Sequence, residues 1–449
     1  LAILPFKLLG RVARLSKRFL MSKRAFSFRS ATSGSGDDTD FADPFGGPWF
    51  LCAVLTCGIL SVSYYFLDGS NLFWSFPADV ISATSEDLAA FYRAGEMIAA
   101  GQTLDVYQPE LYRSGLSGLN QKLLMLNPPH FFFFIEPMSW FDYGTVKAAM
   151  LVAIAIGFVA LARICRLSAL MTIALLTSGG AYYGFITLNV SIFVTALIAF
   201  ALAFAGTRPI LAGVCLAIAT VKPQYGLLVP VFLIGCGYWR TFVTASLATI
   251  GLVAISAAVY GVDAWKAYFG IFSDPIYQGF FRQDFDASLT IRHSVGKLGG
   301  GSTIQNAIQA IAIVSAIALV WFGASRWPRN ALIGITLMAS GLIAPSLFFY
   351  SWPFFSAGLC FMLLVRTPWP TLIQVLGGIV WSQPILLITI YNFDKMASLY
   401  YSASVPVMTM LTLAAFVLML ENNESSAENT ASTKKFANAL RSFTRTQSL

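Results

Sequence analysis

Stretches of about 15–22 apolar residues recur along this chain, each near the length at which an α-helix crosses the hydrocarbon core of a bilayer. Few charges interrupt them. Of 449 residues, 57% are hydrophobic and only 11% charged, whereas a soluble domain carries about a quarter charged residues. Such a chain has too few polar side chains to cover a surface facing water. The runs are rich in Leu, Ile, Ala and Val and lack the two-residue alternation of a membrane strand, which disfavours a β-barrel. The expected fold class is all-α, a polytopic transmembrane helical protein of about 12 spans. They read near 49–66, 144–162, 169–186, 189–205, 209–221, 224–237, 241–260, 304–323, 330–349, 351–365, 371–391 and 398–420.

Charge tests this order, because short cytoplasmic loops collect Lys and Arg. With the N-terminus inside, the inner loops hold Arg163 and Arg166, Arg208, Arg240, Arg326 and Arg329, and Arg366, with no acid among them. Apart from the terminal tails, Asp and Glu fall on the other side, from Asp68 to Asp142, from Asp263 to Asp286, and at Asp394. Both termini are therefore expected in the cytoplasm. The stretch from Pro128 through His130 and Phe131–Phe134 to Glu136 and Pro137 is apolar but short and broken by proline. Counting it as a span would invert every later loop, so it reads as an in-plane or re-entrant segment with aromatic side chains at the interface.

Three regions result: a basic tail and linker over 1–48, a transmembrane domain over 49–420, and a polar tail over 421–449 that is expected to be disordered. The first 20 or so residues are basic and acid-poor, and translation is expected to begin at Met21. Ser33–Asp38 reads as a flexible linker. Eight of the 29 basic residues lie in the first 29 positions, facing an anionic inner leaflet, so the net charge of +8 does not point to nucleic acid. The six cysteines show no metal-ligand spacing and no pair in an outer loop that suggests a disulfide. Carboxylates form no cluster at ligand spacing either, and neither a metal nor a cofactor is expected.

Two outer loops are long, 67–143 and 261–303, and loops of that size are usually functional or carry their own helices. In the first, Leu88, Phe91, Ala94, Gly95 and Ile98 recur at helical spacing, with Thr84 or Ser85 to cap the start and Gly101 to end it. This is an amphipathic helix on the membrane surface. Asp87 in its first turn is stabilised by the helix dipole and kept ionised, which suits a general base; a solvated first-turn acid looks the same in sequence. Lys222-Pro223-Gln224 interrupts an otherwise continuous apolar stretch from 209 to 237, and proline there breaks or turns the helix. A lysine at mid-membrane costs about 2.5–3.5 kcal/mol on insertion scales and is a functional candidate, unless it snorkels to the interface. Asn189, before Val190-Ser191, lies at another turn, where the glycosylation pattern sits too close to the bilayer to be used. The second long loop gathers Arg282, Asp284, Asp286, Arg292, His293 and Lys297, which read either as a solvated cluster or as substrate contacts. No Walker motif, dinucleotide fingerprint, HExxH or Ser-His-Asp elbow is present, which argues against a nucleotide-driven cytosolic enzyme.

Several of these pieces, in this order, resemble glycosyltransferase family 87, the polyprenol-phosphate-mannose-dependent mannosyltransferases of the C-type membrane superfamily. Asp87-Leu88-Ala89-Ala90-Phe91-Tyr92-Arg93-Ala94 is similar to the family's Asp-Phe-x-x-Tyr-Tyr-x-Ala segment, followed by Gly101 and Asp105-Val106-Tyr107. Pro128-Pro129 with its aromatic run, Asn189 before a span, and Ala219-Thr220-Val221-Lys222-Pro223-Gln224 follow in turn. The likeness covers about 75–240 and weakens towards 350. A late Ser-Pro-His-Ser-x-x-Tyr-Asp block stands here as Ala344-Pro345-Ser346-Leu347-Phe348-Phe349-Tyr350-Ser351, without the His and Asp, so mannose is not assumed.

The resemblance implies a multi-pass enzyme of a bacterial inner membrane. It would move a hexose or pentose from a polyprenyl-phosphate donor to an envelope glycolipid or polysaccharide on the non-cytoplasmic face, in one inverting displacement. It also implies roles. Asp87 would be the base, and Lys222 would contact the donor phosphate with Gln224 nearby. Asn189, Tyr92, Arg93 and His293 would bind substrate. A transporter or lipid flippase is the main rival, since broken helices and an intramembrane lysine also mark transport sites. No repeat relates the halves and no acid lies within a span, which disfavours that rival. A non-catalytic scaffold for polysaccharide assembly would also tolerate the missing His and Asp.

Overall fold

The computed structural model describes residues 47–67, 87–116, 118–283, 288–365, 369–394, 397 and 400–423. Expectations that rest on Met21, on Ser33–Asp38, on Asp68, Thr84 and Ser85, on Asp284, Asp286 and Arg366, on the side chain of Arg282, and on the tail beyond 423 lie outside them.

Among the described residues every regular element is helical. In chain order the first helices are α1 (Pro48–Leu67), α2 (Asp87–Ala99), α3 (Pro109–Ser114), α4 (Phe132–Ile135), α5 (Tyr143–Ile164), α6 (Ala169–Leu176) and α7 (Gly179–Thr187). The middle of the chain holds α8 (Ser191–Phe204), α9 (Pro209–Ala219), α10 (Val229–Gly235), α11 (Trp239–Tyr260), α12 (Val262–Gly270), α13 (Pro275–Gln283) and α14 (Ile291–Lys297). The last are α15 (Ser302–Gly323), α16 (Arg329–Ile343), α17 (Pro353–Leu363), α18 (Thr371–Phe393) and α19 (Tyr400–Asn423). Short 3-10 turns fill the 129–140 segment around α4 and the Pro223–Gly226 break.

Five helices are long and apolar enough to cross a membrane, α5, α11, α15, α18 and α19, and the pair α6–α7, bent by 52°, makes a sixth. The protein is a polytopic helical membrane protein. Leu247 and Ile250 on α11 are each 64% exposed, and Ile311 and Val314 on α15 each 65%. Whole apolar helix faces of this kind meet lipid rather than water. The twelve expected spans are not matched by twelve long helices. Stretches read as full crossings are α8 with 14 residues, α9 with 11, α10 with 7, α16 with 15 and α17 with 11. At 1.5 Å per residue none of these alone covers a core of about 30 Å.

At the centre, α16 and α17 are buried along most of their length. Gly334 and Gly358 let their backbones touch: a Cβ at Gly334 would lie 2.7 Å from the Gly358 carbonyl oxygen, the small-residue packing that drives helix association in lipid. The 128–141 stretch forms no spanning helix. It folds as three short pieces beneath α2, where Phe91 meets Phe131 edge-on at 5.1 Å and a Cβ at Gly95 would collide with the Ile135 carbonyl.

Candidate active site

Three breaks in the helical order meet. Asp87 opens α2. Asn189 follows Leu188, whose left-handed backbone (φ 51°, ψ 45°) ends α7; a buried leucine in that region is strained, and strain of this kind gathers at functional sites. Lys222 follows α9, where Pro223 cannot continue the helix and the chain turns through a 3-10 turn before α10.

The three side chains form one hydrogen-bonded unit. The Lys222 ammonium donates to Asn189 Oδ1 at 2.8 Å and to Ser191 Oγ at 3.0 Å. The same Asn189 oxygen accepts from the Ser191 amide at 2.8 Å and its hydroxyl at 2.6 Å. An oxygen receiving three donors fixes the amide's orientation, so Nδ2 faces Asp87 and donates to its carboxylate. Asn189 is thus held on both sides by protein groups, and it ties the carboxylate to the ammonium while capping the start of α8.

Aromatic and hydroxyl groups close the unit. The Lys222 ammonium lies 4.9 Å from the Tyr350 ring centre and 5.8 Å from that of Tyr225, within the range of cation–π attraction. The Tyr225 hydroxyl bonds Ser351 Oγ and lies 3.3 Å from Ser191 Oγ. Desolvation pushes the Asp87 carboxyl above the ordinary carboxylate value, and the charge of Lys222 and the hydrogen bond from Asn189 partly oppose it.

The motifs seen separately in the sequence also join behind this unit. Tyr107 donates to the Asn127 carbonyl at 2.7 Å, and the Asn127 amide donates to the Val221 carbonyl at 2.9 Å, beside Lys222. His130 stacks on Trp265 and lies 3.1 Å from Thr220 Oγ1, whose proton goes to the Ala217 carbonyl. Burial pushes the His130 imidazole down to about 4, leaving it neutral at neutral pH.

The other candidates point elsewhere. Tyr92 donates to the Phe141 carbonyl at 2.9 Å, Arg93 turns towards Glu96 at 3.8 Å, and His293 is buried with Nδ1 at 2.7 Å from Thr290 Oγ1 and 2.9 Å from Ser288 Oγ. Gln224 is half-buried in the 3-10 turn after Lys222. Sequence reasoning missed Tyr225, Ser191, Tyr350 and Ser351 as parts of the unit. The late Ala344–Ser351 block was the available signal, since it delivers Tyr350 to Lys222 and Ser351 to Tyr225. Among the described residues no group of three or more His, Cys, Asp or Glu could hold a metal ion.

Residues 126–351, just over half of the chain, match the family model of glycosyltransferase family 87. The chain belongs to glycosyltransferase family 87. It is a membrane glycosyltransferase. The matched region takes in Asn189, Lys222, Gln224, His293, Tyr350 and Ser351, while Asp87, Tyr92 and Arg93 precede it. No curated protein and no solved structure matches the chain.

Asn189→Ala removes both arms of the bridge at once. A buried group left without its partner costs about 1–3 kcal/mol, more when it is charged, so this variant is expected to melt earlier and to lose about 100-fold in kcat. Thermal unfolding in detergent and a single-turnover assay read the two effects separately.

Proposed function

We propose that this family 87 enzyme takes its sugar from a polyprenyl-phosphate donor and passes it to an envelope acceptor on the non-cytoplasmic face. The observation that carries the reading is the carboxylate and the ammonium of Asp87 and Lys222, linked through Asn189 at a break in the helices. Asp87 removes the proton of the acceptor hydroxyl, whose oxygen attacks the anomeric carbon as the bond from that carbon to the phosphate oxygen breaks. Lys222 takes up the negative charge that grows on the departing polyprenyl phosphate. The sorting of Arg to one set of loops and of Asp and Glu to the other supports an outward-facing site in an inner membrane with both termini inside. Gln224 and Tyr350 flank the donor phosphate and sugar.

The donor's hydrocarbon chain lies in a groove of about 390 Å³ between α9, α10 and α11, because Lys222 stands in a wall that is mostly apolar, with Thr220, Ser246 and Thr249 as its other polar side chains. Gly226 lines the same groove, and nothing lies within 4 Å of a Cβ built there. Gly226→Leu is expected to raise the donor KM about tenfold while the fold and the KM for acceptor stay unchanged, as initial rates at varied donor would show.

The function itself is tested with purified protein in lipid vesicles, given radiolabelled polyprenyl-phosphate sugars and glycans extracted from the source membrane. Transfer of label to those glycans supports the reading. Label that crosses the bilayer with the donor unconsumed would hand the protein to the transporter class.

A further inference from the structure

The backbone at Lys222 has little of its own to hold it in place. α9 ends at Ala219, Pro223 has no N–H with which to continue the helix, and Lys222 lies outside the helical region at φ −131° and ψ 77°. The amides of Thr220, Val221 and Lys222 reach back to Ala217, Ile218 and Ala219 at 3.1–3.3 Å, the loose closure of a last helical turn. Yet the ammonium donates to Asn189 and Ser191 together, and hydrogen bonds weaken steeply once their geometry is lost.

Two side chains of the first outer loop supply what the backbone lacks. The Asn127 amide donates to the Val221 carbonyl at 2.9 Å, and His130 Nε2 lies 3.1 Å from Thr220 Oγ1. Since Thr220 gives its own proton to the Ala217 carbonyl, it accepts one from His130. Thr220 and Val221 are the two residues directly before Lys222. Asn127 and His130 are three positions apart, and Pro128 and Pro129 between them have fixed φ, which stiffens the piece that carries both donors. That piece is itself anchored. The Asn127 carbonyl accepts the Tyr107 hydroxyl, the Tyr107 carbonyl accepts that of Tyr277 on α13 at 3.3 Å, and His130 stacks on Trp265 of α12. Both long outer loops therefore converge on the turn that carries Lys222. Packing alone does not account for His130. Its Nδ1 is buried with no hydrogen-bond partner, which costs stability, and a phenylalanine would stack on Trp265 without that cost.

We propose that Asn127 and His130 are positioning residues of the transfer reaction, which grip Thr220 and Val221 from the Pro128-Pro129 frame and so fix the Lys222 ammonium between Asp87 and the departing phosphate. The proposal rests on the transferase reading above and deepens it.

The test uses the full chain in nanodiscs with labelled polyprenyl-phosphate sugar and acceptor glycans extracted from the source membrane. Asn127→Leu and His130→Phe are each expected to lower kcat by about 10- to 100-fold, the cost of misplacing a reacting group by about 1 Å. His130→Phe is expected to melt close to the natural protein, and His130→Gln, whose amide can donate to Thr220, to recover most of the rate. In a Lys222→Met background each substitution is expected to cost no more than about twofold further, because residues that act through one group are not additive. In Asn127→Leu the acid limb of kcat/KM is also expected to move up, as a displaced ammonium no longer holds the Asp87 carboxyl down. The limb is read in that variant because His130 itself titrates, at about 4. Tyr112 and Tyr225, the other titratable groups beside Asp87, are phenols and neutral there. Losses that persist in full without Lys222, or a folded Asn127→Leu enzyme with an unmoved limb, would make both residues merely structural and overturn the proposal. Should Asn127→Leu not fold, His130→Phe decides: wild-type kcat, or no rescue by Gln, overturns it equally. A natural protein that transfers no sugar would instead remove the transferase reading on which the proposal rests.

Discussion

Asp87→Asn is expected to lower kcat by about 100- to 10,000-fold, the range supplied by a positioned general base, while leaving the fold in place. Asparagine has the shape of aspartate, and its Oδ1 accepts the hydrogen bond that Asn189 Nδ2 now gives to the carboxylate. The stability change has a defined sign. Desolvation raises the Asp87 carboxyl above its unfolded value, so this group favours the folded state at low pH and works against it once the pH exceeds the raised value. A neutral amide escapes that cost but leaves the buried Lys222 ammonium without its counter-charge, so the variant is expected to melt somewhat earlier at neutral pH. Loss of kcat measured on protein that is folded at the assay temperature separates a chemical role from a structural one. The pH dependence gives a second readout. The base works only when ionised, so the acid limb of kcat/KM lies above the ordinary aspartate value of about 3.9, and activity falls as the pH drops through it. That limb is expected to vanish in Asp87→Asn. A variant with wild-type kcat would end the assignment.

The parts of this site were legible in the sequence for one reason: polar groups are scarce in an apolar chain, so each of them has to be accounted for. Lys222 stood out because it interrupts a membrane stretch beside proline, and the structure does break the helix there. Asp87 stood out through its place in the first turn of an amphipathic helix. Their meeting was not legible. Asn189 and Asp87 are 102 positions apart, and Asn189 and Lys222 are 33 apart; neither spacing follows from a helical period. The turn at Leu188 carries no glycine or proline to announce it, because tertiary packing holds a leucine in a left-handed conformation. Helix length was not legible for a related reason. Hydropathy registers apolar residues, but a single helix of about 20 residues also needs unbroken backbone hydrogen bonding. The 189–237 stretch is apolar almost throughout, yet its helices α8, α9 and α10 have only 14, 11 and 7 residues. His293, which the sequence leaves as either a substrate contact or part of a solvated cluster, is buried at the start of α14 with Ser288 and Thr290 as close hydroxyl neighbours, a placement that the charged residues around it in sequence do not announce.

Replacing Lys222 by Met is expected to cost about 100- to 1,000-fold in kcat, as the loss of a single group stabilising developing negative charge does elsewhere, together with a raised donor KM. The decisive sign lies in the pH profile. The Lys222 charge holds the Asp87 carboxyl down against its desolvation, so removing that charge lets the carboxyl rise further, and the acid limb of kcat/KM is expected to move to higher pH. An effect confined to leaving-group stabilisation would leave the limb where it was. Lys222→Arg distinguishes charge from shape. It keeps the positive charge near Asp87 and so is expected to keep the limb close to its natural position. Its planar guanidinium, however, does not reproduce a compact ammonium donating to Asn189 Oδ1 and Ser191 Oγ beneath the Tyr350 ring, so kcat stays low. A Met variant with an unmoved limb would separate the two residues electrically and dissolve the linked unit. A limb that moves up in Met and stays in Arg, with donor KM raised in Met, would instead make the lysine serve the base and the leaving phosphate at once, because one buried cation lies within reach of both.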